Sequence, residues 1–389
     1  MPIQMIHRPH RPTSRVELTQ EQRDAVEHLL RFRSDVQTMG GYAGTGKTTV
    51  IKTLHALLPR FAVCAFTGKA TQVLRRKGVQ ATTIHSLIYR PVDAGGETEW
   101  LPKEREELAA VGVQGFIVDE ASMVGELLCQ DLTGFGLPIV FVGDHGQLEP
   151  VGDRGFNLME HPDVTLETIH RNAGEIARFA EHLRKGNPAK DWKMQRAVKD
   201  RQVHFVSAKD MHRLDLAQLP DQMICAFNQT RVAMNRTARA WLGFEDPRRS
   251  DDPASALPVA GDRVMCLQND RETGLFNGMQ GTVSSAWLDS RFKQPMMRFR
   301  HLDPFGGAQD EELDLQVNRH SFHRQSKPSG LEDPLPFDYA YCVTCHKFQG
   351  DEAEHVMVLE QRCKHWDHSR WSYTAASRAR SKLTWVGDF

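Results

Sequence analysis

Gly41-Tyr42-Ala43-Gly44-Thr45-Gly46-Lys47-Thr48 fits the pattern G-x-x-x-x-G-K-[ST] at every fixed position. Glycines at 41, 44 and 46 let successive backbone N–H groups turn toward one point without a Cβ in the way. Such a concavity holds phosphate oxygens. A helix start at Thr48 and Thr49 adds its dipole and its unpaired N–H groups, with Thr45 in the loop itself. Lys47 would reach the outer phosphates of a nucleoside triphosphate, and the Thr48 hydroxyl would ligate Mg²⁺. Further on, Phe116-Ile117-Val118 runs into Asp119-Glu120, an apolar strand ending in two acids. Asp119 suits a metal ion held through its water shell. Glu120 suits a base that orients and deprotonates an attacking water. Ile139–Val142 leads into Gly143-Asp144-His145-Gly146-Gln147, where the uncharged Gln147 can donate to a γ-phosphate oxygen or hold that water.

Thr19-Gln20-Glu21-Gln22 precedes the loop, and its spacing supports two readings equally. Thr19 and Gln22 could exchange bonds as a capping box, or the Gln22 amide could pair with a donor and an acceptor on adenine.

These residues need parallel strands with helices between them. Short apolar runs at Phe61–Phe66, Phe116–Val118, Ile139–Val142, Met223–Phe227, Val356–Leu359 and Leu383–Val386 alternate with helical patterns such as Thr19–Leu30 and Glu175–Lys185. Two stretches break the pattern. Asp93-Ala94-Gly95-Gly96 predicts a hairpin turn, and 253–336, rich in Gly, Pro and β-prone pieces, predicts a small β insertion.

The blocks in this order resemble superfamily 1 helicases of the RecD/Dda-like branch, superfamily 1B, over nearly the whole chain. Leu18–Gln22 is similar to the Q motif, Ala65-Phe66-Thr67-Gly68-Lys69-Ala70 to motif Ia, and Thr83-Ile84-His85-Ser86-Leu87 to motif Ib. Asp119–Ser122 and Gly143–Val151 are similar to motifs II and III, and Leu166–Arg171 to motif IV. Thr344-Cys345-His346-Lys347-Phe348-Gln349-Gly350 resembles motif V, and Tyr373–Arg380 resembles motif VI. Glu149 stands where the family often has Pro, and the segment between motifs Ib and II is short.

The resemblance implies an α/β fold of two RecA-like P-loop domains. The first spans 1–155, with a β-hairpin insertion at about 88–113. The second spans 156–252 and 337–389 around an SH3-like insertion at 253–336. It implies arginines inserted from the second domain, Arg171 and Arg378, to stabilise charge on the phosphoryl oxygens, and Gly350 beside the nucleotide. For DNA it implies Phe66, Thr67, Lys69 and His85 on the first domain, Thr344, His346 and Lys347 on the second, and Asn277 on the insertion. Hydroxyl, imidazole and ammonium donors suit phosphate oxygens, and aromatics stack on bases. Trp100, near the expected hairpin tip, could wedge against a base pair, although core packing is the more usual fate of a tryptophan. The expected activity is ATP hydrolysis with Mg²⁺, coupled to 5′→3′ movement on single-stranded DNA and opening of forked duplex. Replication or recombination proteins are the expected company, DNA replication, repair and recombination the expected setting, and a monomer the expected state.

Composition sets limits. The 389 residues suggest two or three domains. No apolar run reaches the roughly 18 residues of a membrane span. Residues 1–15, rich in Pro, His and Arg, predict a loose arm without an export signal. Lys and Arg total 49 against 50 Asp and Glu, so nucleic acid must be met by a locally basic groove. Seven scattered cysteines fit reduced thiols and a cytoplasmic location, in a bacterial cell or a phage-infected host. Cys342-Val343-Thr344-Cys345-His346 matches a haem-attachment spacing, and Cys363, His365 and His368 add a loose zinc-like pattern. Both compete with the motif V match and are set below it.

Overall fold

The computed structural model describes residues 18–32, 34–93, 98–149, 156–169, 174–194, 201–213, 219–244, 257–270, 273–291, 294–302, 308–322, 334–364 and 366–388. Among the expected site residues, Arg171 lies outside this set. So do the hairpin turn Ala94–Gly96, the end of motif III at Pro150-Val151, and His365.

The first half runs α1 (Gln20–Leu30), β1 (Val36–Gly41), α2 (Lys47–Leu57), β2 (Phe61–Ala65), α3 (Gly68–Arg76), β3 (Ala81–Thr83) and α4 (Ile84–Ile88). The hairpin β4 (Tyr89–Asp93) and β5 (Thr98–Pro102) follows, then α5 (Arg105–Ala110), β6 (Gly115–Asp119), α6 (Glu126–Gly134), β7 (Ile139–Gly143) and β8 (Val164–Leu166). Six strands make one sheet, in the order β3-β2-β6-β7-β1-β8, parallel throughout. Helices cover both faces, which is why β6 and β7 read as unbroken apolar runs: Phe116, Ile117, Val118 and Ile139–Val142 are fully buried. On one face Ala25, Val26 and Leu29 of α1 pack with Val50, Ile51 and Leu54 of α2. On the other, Leu128 and Leu132 of α6 meet Phe116 and Phe141. Each such side chain contributes about 1.5–3 kcal/mol on burial.

The strand order sets up the chemistry. All strands point the same way, so the loops after β1, β6 and β7 emerge on one edge. β7 pairs with β1 on one side and β6 on the other. The loop carrying Asp144 and Gln147 therefore emerges between the phosphate loop and the acid pair.

The second half runs α7 (Glu175–Arg184), α8 (Ala189–Met194), β9 (Val203–Ser207), β10 (Gln222–Cys225) and α9 (Asn228–Trp241). Then come β11 (Arg263–Cys266), β12 (Gln280–Leu288), β13 (Pro295–Leu302), β14 (Ala308–Asn318) and β15 (Leu335–Tyr339). It ends with β16 (Cys342–Thr344), β17 (Ala353–Leu359), α10 (His368–Ala376) and β18 (Ala379–Gly387). Its parallel sheet is β16-β10-β17-β18-β9. β11 to β15 close into a barrel between α9 and β16, built on Val264, Met297, Phe299, Val317 and Phe337. Among the described residues no helix is long and apolar enough to cross a membrane.

Candidate nucleotide site and strand path

The loop after β1 forms as its sequence requires. Gly44 and Gly46 sit at φ 83° and 87°, where a side chain would be strained. A Cβ on Gly41 would lie 2.8 Å from the Thr45 hydroxyl and 3.0 Å from the Lys47 stem. Thr45 is buried and donates its hydroxyl to the Tyr42 carbonyl. Gly46 caps α2 without a side-chain bond, which leaves the helix start facing the loop. The Lys47 ammonium lies across the loop, donating to the carbonyls of Gly41 at 2.6 Å and Tyr42 at 3.2 Å. The Thr48 hydroxyl accepts from Lys77 Nζ at 3.3 Å, so that flexible ammonium must swing away before Thr48 can ligate Mg²⁺. Thr49 starts the helical ladder, donating its N–H to Gly46.

Of the two readings of Gln22, the capping box is formed. Gln22 N–H donates to Thr19 Oγ1 at 3.3 Å, and Thr19 N–H donates to Gln22 Oε1 at 3.1 Å. The side-chain nitrogen donates to the Thr45 carbonyl at 3.1 Å. Both ends of this buried amide therefore carry protein partners, and Gln22 braces the phosphate loop through Thr45.

Asp119 ends β6, and Glu120 follows in the left-handed region at φ 55°. A non-glycine residue there stores roughly 1–3 kcal/mol of strain. The turn brings the Glu120 N–H onto Asp119 Oδ1 at 2.9 Å. Burial, and then the Glu120 charge, push the Asp119 pKa up to about 7, against Lys47 and Lys77. The folded state then holds a proton that the unfolded chain gives up near its ordinary value. Between about pH 4 and 7 the native form binds more protons, so stability falls as pH rises, with a slope from this group approaching about −1.4 kcal/mol per unit. Denaturant unfolding in EDTA should show that fall, and Asp119→Asn should flatten it. An identical slope in the variant would rule out the shift.

Asp144, fully buried, is the centre of the site, and the sequence reading had given it no role. It accepts from Gly146 N–H at 3.0 Å, Gln147 Nε2 at 3.2 Å and Tyr373 Oη at 2.6 Å, and lies 3.8 Å from Lys47 Nζ. Tyr373 belongs to α10 of the second half. Its hydroxyl also accepts the Ala43 N–H of the phosphate loop at 2.8 Å. Other contacts cross the same seam. Leu148 N–H donates to Thr374 Oγ1, Arg370 donates to the Gln147 carbonyl, and Gln349 donates to the Leu148 carbonyl. The Arg184 guanidinium lies 4.0 Å over the Tyr42 ring. The residues present fit a phosphate, a metal and a water: the buried Ser122 hydroxyl can donate to a phosphate oxygen and the buried Gln147 Oε1 can accept from a water, and neither has a hydrogen-bond partner.

Comparison with known proteins agrees with this layout. Residues 17–208 match the AAA domain family, and 339–386 match the UvrD-like helicase C-terminal domain. The RecBCD enzyme subunit RecD of Mycobacterium tuberculosis is 26% identical over 426 residues, covering 95% of this chain and 69% of that protein. The chain is thus similar to an ATPase domain and a helicase C-terminal domain, in that order. The conjugal transfer protein TraA of Rhizobium radiobacter is 27% identical over 372 residues, covering 88% of this chain but 30% of TraA. The chain thus spans under a third of the length of that relative. The Bacteroides Pif1 structure bound to single-stranded DNA superposes with a TM-score of 0.58 at 19% identity, over 96% of this chain and 93% of that one. That likeness is one of fold, two RecA-like domains.

The expected arginine, Arg378, is buried and fastened within its own half of the chain. It donates to the Thr374 carbonyl at 3.0 Å, Ser377 Oγ at 2.9 Å and the Asp351 carbonyl at 3.3 Å. Among the described residues, the second-half cations that touch the first half around the loop include Arg184 and Arg370. Arg370 stands three residues before Tyr373, one helical turn away on the same face, a signal available in the sequence. Gly350, at φ 76°, comes close to both sites. A Cβ there would lie 3.2 Å from Thr67 Oγ1 and 4.0 Å from Glu120 Cγ.

Of the expected strand contacts, the exposed His85 lies 6.1 Å from the Phe66 ring, edge to face. Thr67 caps α3 through the Ala70 N–H. Thr344 precedes the short turn that carries His346 and Lys347. The His346 ring packs 5.1 Å from Trp366, which stacks on the half-exposed Phe227. Lys347 donates to Asn277 of the barrel. Lys69 is the exception. It is not on an open face, because it is buried in a 2.6 Å ion pair with Asp351. Trp100 pairs with Pro91 inside the hairpin, two positions from its last register pair, Asp93 with Thr98. Cys342 and Cys345 are fully buried, and among the described residues no group of three or more His, Cys, Asp or Glu could hold a metal.

Proposed function

We propose that the chain hydrolyses ATP with Mg²⁺ in the seam between its two parallel sheets, and uses the cycle to move 5′→3′ along single-stranded DNA and open duplex. The observation that carries this is the Tyr373 hydroxyl. A helix of the second half reaches both the phosphate loop and Asp144, so a change at the phosphates is felt at once by the other lobe. When bound, Mg²⁺ would neutralise charge on the phosphates, with Thr48 and Asp119 as its protein ligands. Lys47 takes the outer phosphates, Glu120 accepts a proton from the attacking water, and Gln147 orients it. Phe66, Thr67, His85, Thr344, His346, Lys347 and Asn277 line the strand path across both lobes. Pif1 bound to single-stranded DNA and RecD support DNA as the substrate class.

A second reading is a translocase that displaces bound proteins and unwinds poorly. The hairpin favours it, since each of its strands has five residues, a short lever for splitting base pairs. Duplexes with a 5′ or a 3′ single-stranded tail decide between them. ATP-dependent opening of the 5′-tailed duplex supports unwinding. DNA-stimulated turnover without opening supports the translocase. Opening of the 3′-tailed duplex alone overturns the polarity.

A further inference from the structure

Lys69 is the second residue of α3 on the first lobe, and Asp351 follows the motif V turn on the second. Their ammonium and carboxylate meet at 2.6 Å, with side chains 10% and 8% exposed. The ammonium also lies 5.5 Å from the Phe348 ring centre. Arg370–Glu149 crosses the same seam at 3.7 Å, but its side chains are 28% and 48% exposed, so it is far more screened. A buried pair behaves differently: removing either partner leaves a charge in a poor solvent. Burial raises the Asp351 pKa, and Lys69 and Arg378 act against it.

Asp351 also links the two ends of the machinery. Its carbonyl accepts from Arg378 at 3.3 Å. The preceding Gly350 packs against Thr67 and toward Glu120. The strand-side lysine, the hydrolytic acid and the motif VI arginine are therefore within one or two residues of the same carboxylate.

We infer that Asp351 is a positioning residue that holds Lys69 across the closed seam, and that a phosphate of the DNA backbone takes its place. This rests on the helicase reading above. A phosphodiester offers Lys69 the same negative oxygen chemistry as the carboxylate, so strand binding exchanges one partner for the other. Without DNA the pair clamps the lobes and keeps turnover low. With DNA the clamp is released, and the segment of Gly350 and Asp351 moves relative to Glu120.

The test uses the full chain, with turnover measured with and without oligo-dT and strand affinity measured by anisotropy across a salt series. Asp351→Asn keeps the shape and removes the competing charge. It should raise DNA-free turnover and tighten strand binding, each by about tenfold, within the usual range of coupling between sites. The slope of log affinity against log salt should not change, because Lys69 meets the same phosphate in both proteins. Exchanging the charges, Lys69→Asp with Asp351→Lys, should restore the low DNA-free rate. That pair also serves if the single variant does not fold. Unchanged turnover and affinity in a folded Asp351→Asn protein would overturn the clamp, as would weaker binding with lower stability, the signature of simple seam packing. If the unaltered chain shows no DNA stimulation, the helicase reading itself fails. If it is stimulated normally and the variants match it, the clamp alone fails.

Discussion

Lys47→Ala abolishes ATP turnover, lowering kcat by at least about 10³-fold, while the melting profile stays close to that of the unaltered chain. The ammonium is the group best placed to follow charge onto the outer phosphates, because it already lies among the loop carbonyls. A cation that meets charge developing in the transition state is worth several powers of ten. The cost to folding is small beside the kinetic loss, since Asp144 keeps its hydrogen bonds from Gly146, Gln147 and Tyr373 when the ammonium is gone. Steady-state turnover and circular dichroism on the same preparation check both halves. Turnover preserved in a folded variant would remove Lys47 from the chemistry.

Asp144→Ala should be more damaging to the molecule as a whole. The carboxylate is fully buried and serves three donors, the Gly146 N–H, the Gln147 amide and the Tyr373 hydroxyl. Truncation leaves all three in the interior without an acceptor. Each orphan costs roughly 1–3 kcal/mol, so a loss of about 3 kcal/mol or more is expected in denaturant titrations. Turnover should fall by about 10²-fold or more, because Gln147 loses its anchor and Lys47 its nearest counter-charge. Asp144→Asn keeps an acceptor for Gly146 and should lose about 1 kcal/mol. An alanine variant as stable as the parent would mean that these donors find other partners, and the hub would lose its importance.

How much of this could be read from the residues differs by element. β6 and β7 were plain, because strands buried on both faces must be apolar throughout, as Phe116–Val118 and Ile139–Val142 are. β1 was missed as a strand, although it feeds the phosphate loop. Val36-Gln37-Thr38-Met39-Gly40 mixes polar residues into a buried run, and tertiary bonds satisfy them: Gln37 donates to the Leu29 carbonyl, and Thr38 pairs with Asp163. Partners 8 and 125 residues away leave no local trace. The three-residue strands β3, β8 and β16 are too short to show a period. In the site, the places of Lys47 at a helix start and of Asp119 and Glu120 at a strand end were legible, because the phosphate-loop pattern and the apolar run before the acids are local. Asp144 and Tyr373 lay inside quoted motifs, yet nothing in their spacing says that a hydroxyl 229 residues away meets that carboxylate. The burial of Lys69 was invisible for the same reason, since only the packed seam turns a cation suited to DNA toward Asp351.

The barrel's resting place has a practical consequence. A Cβ on Gly68 would stand 3.0 Å from the Phe276 ring, so the ring is seated flush on the backbone of one lobe, while its neighbour Asn277 is tied to Lys347 of the other. Any parting of the lobes must therefore lift that ring from its seat or pull it off its tether. An indole at position 276 would sense the change in polarity directly. Its emission could time each stroke of the machine in a stopped-flow cell, with no label attached to the nucleic acid.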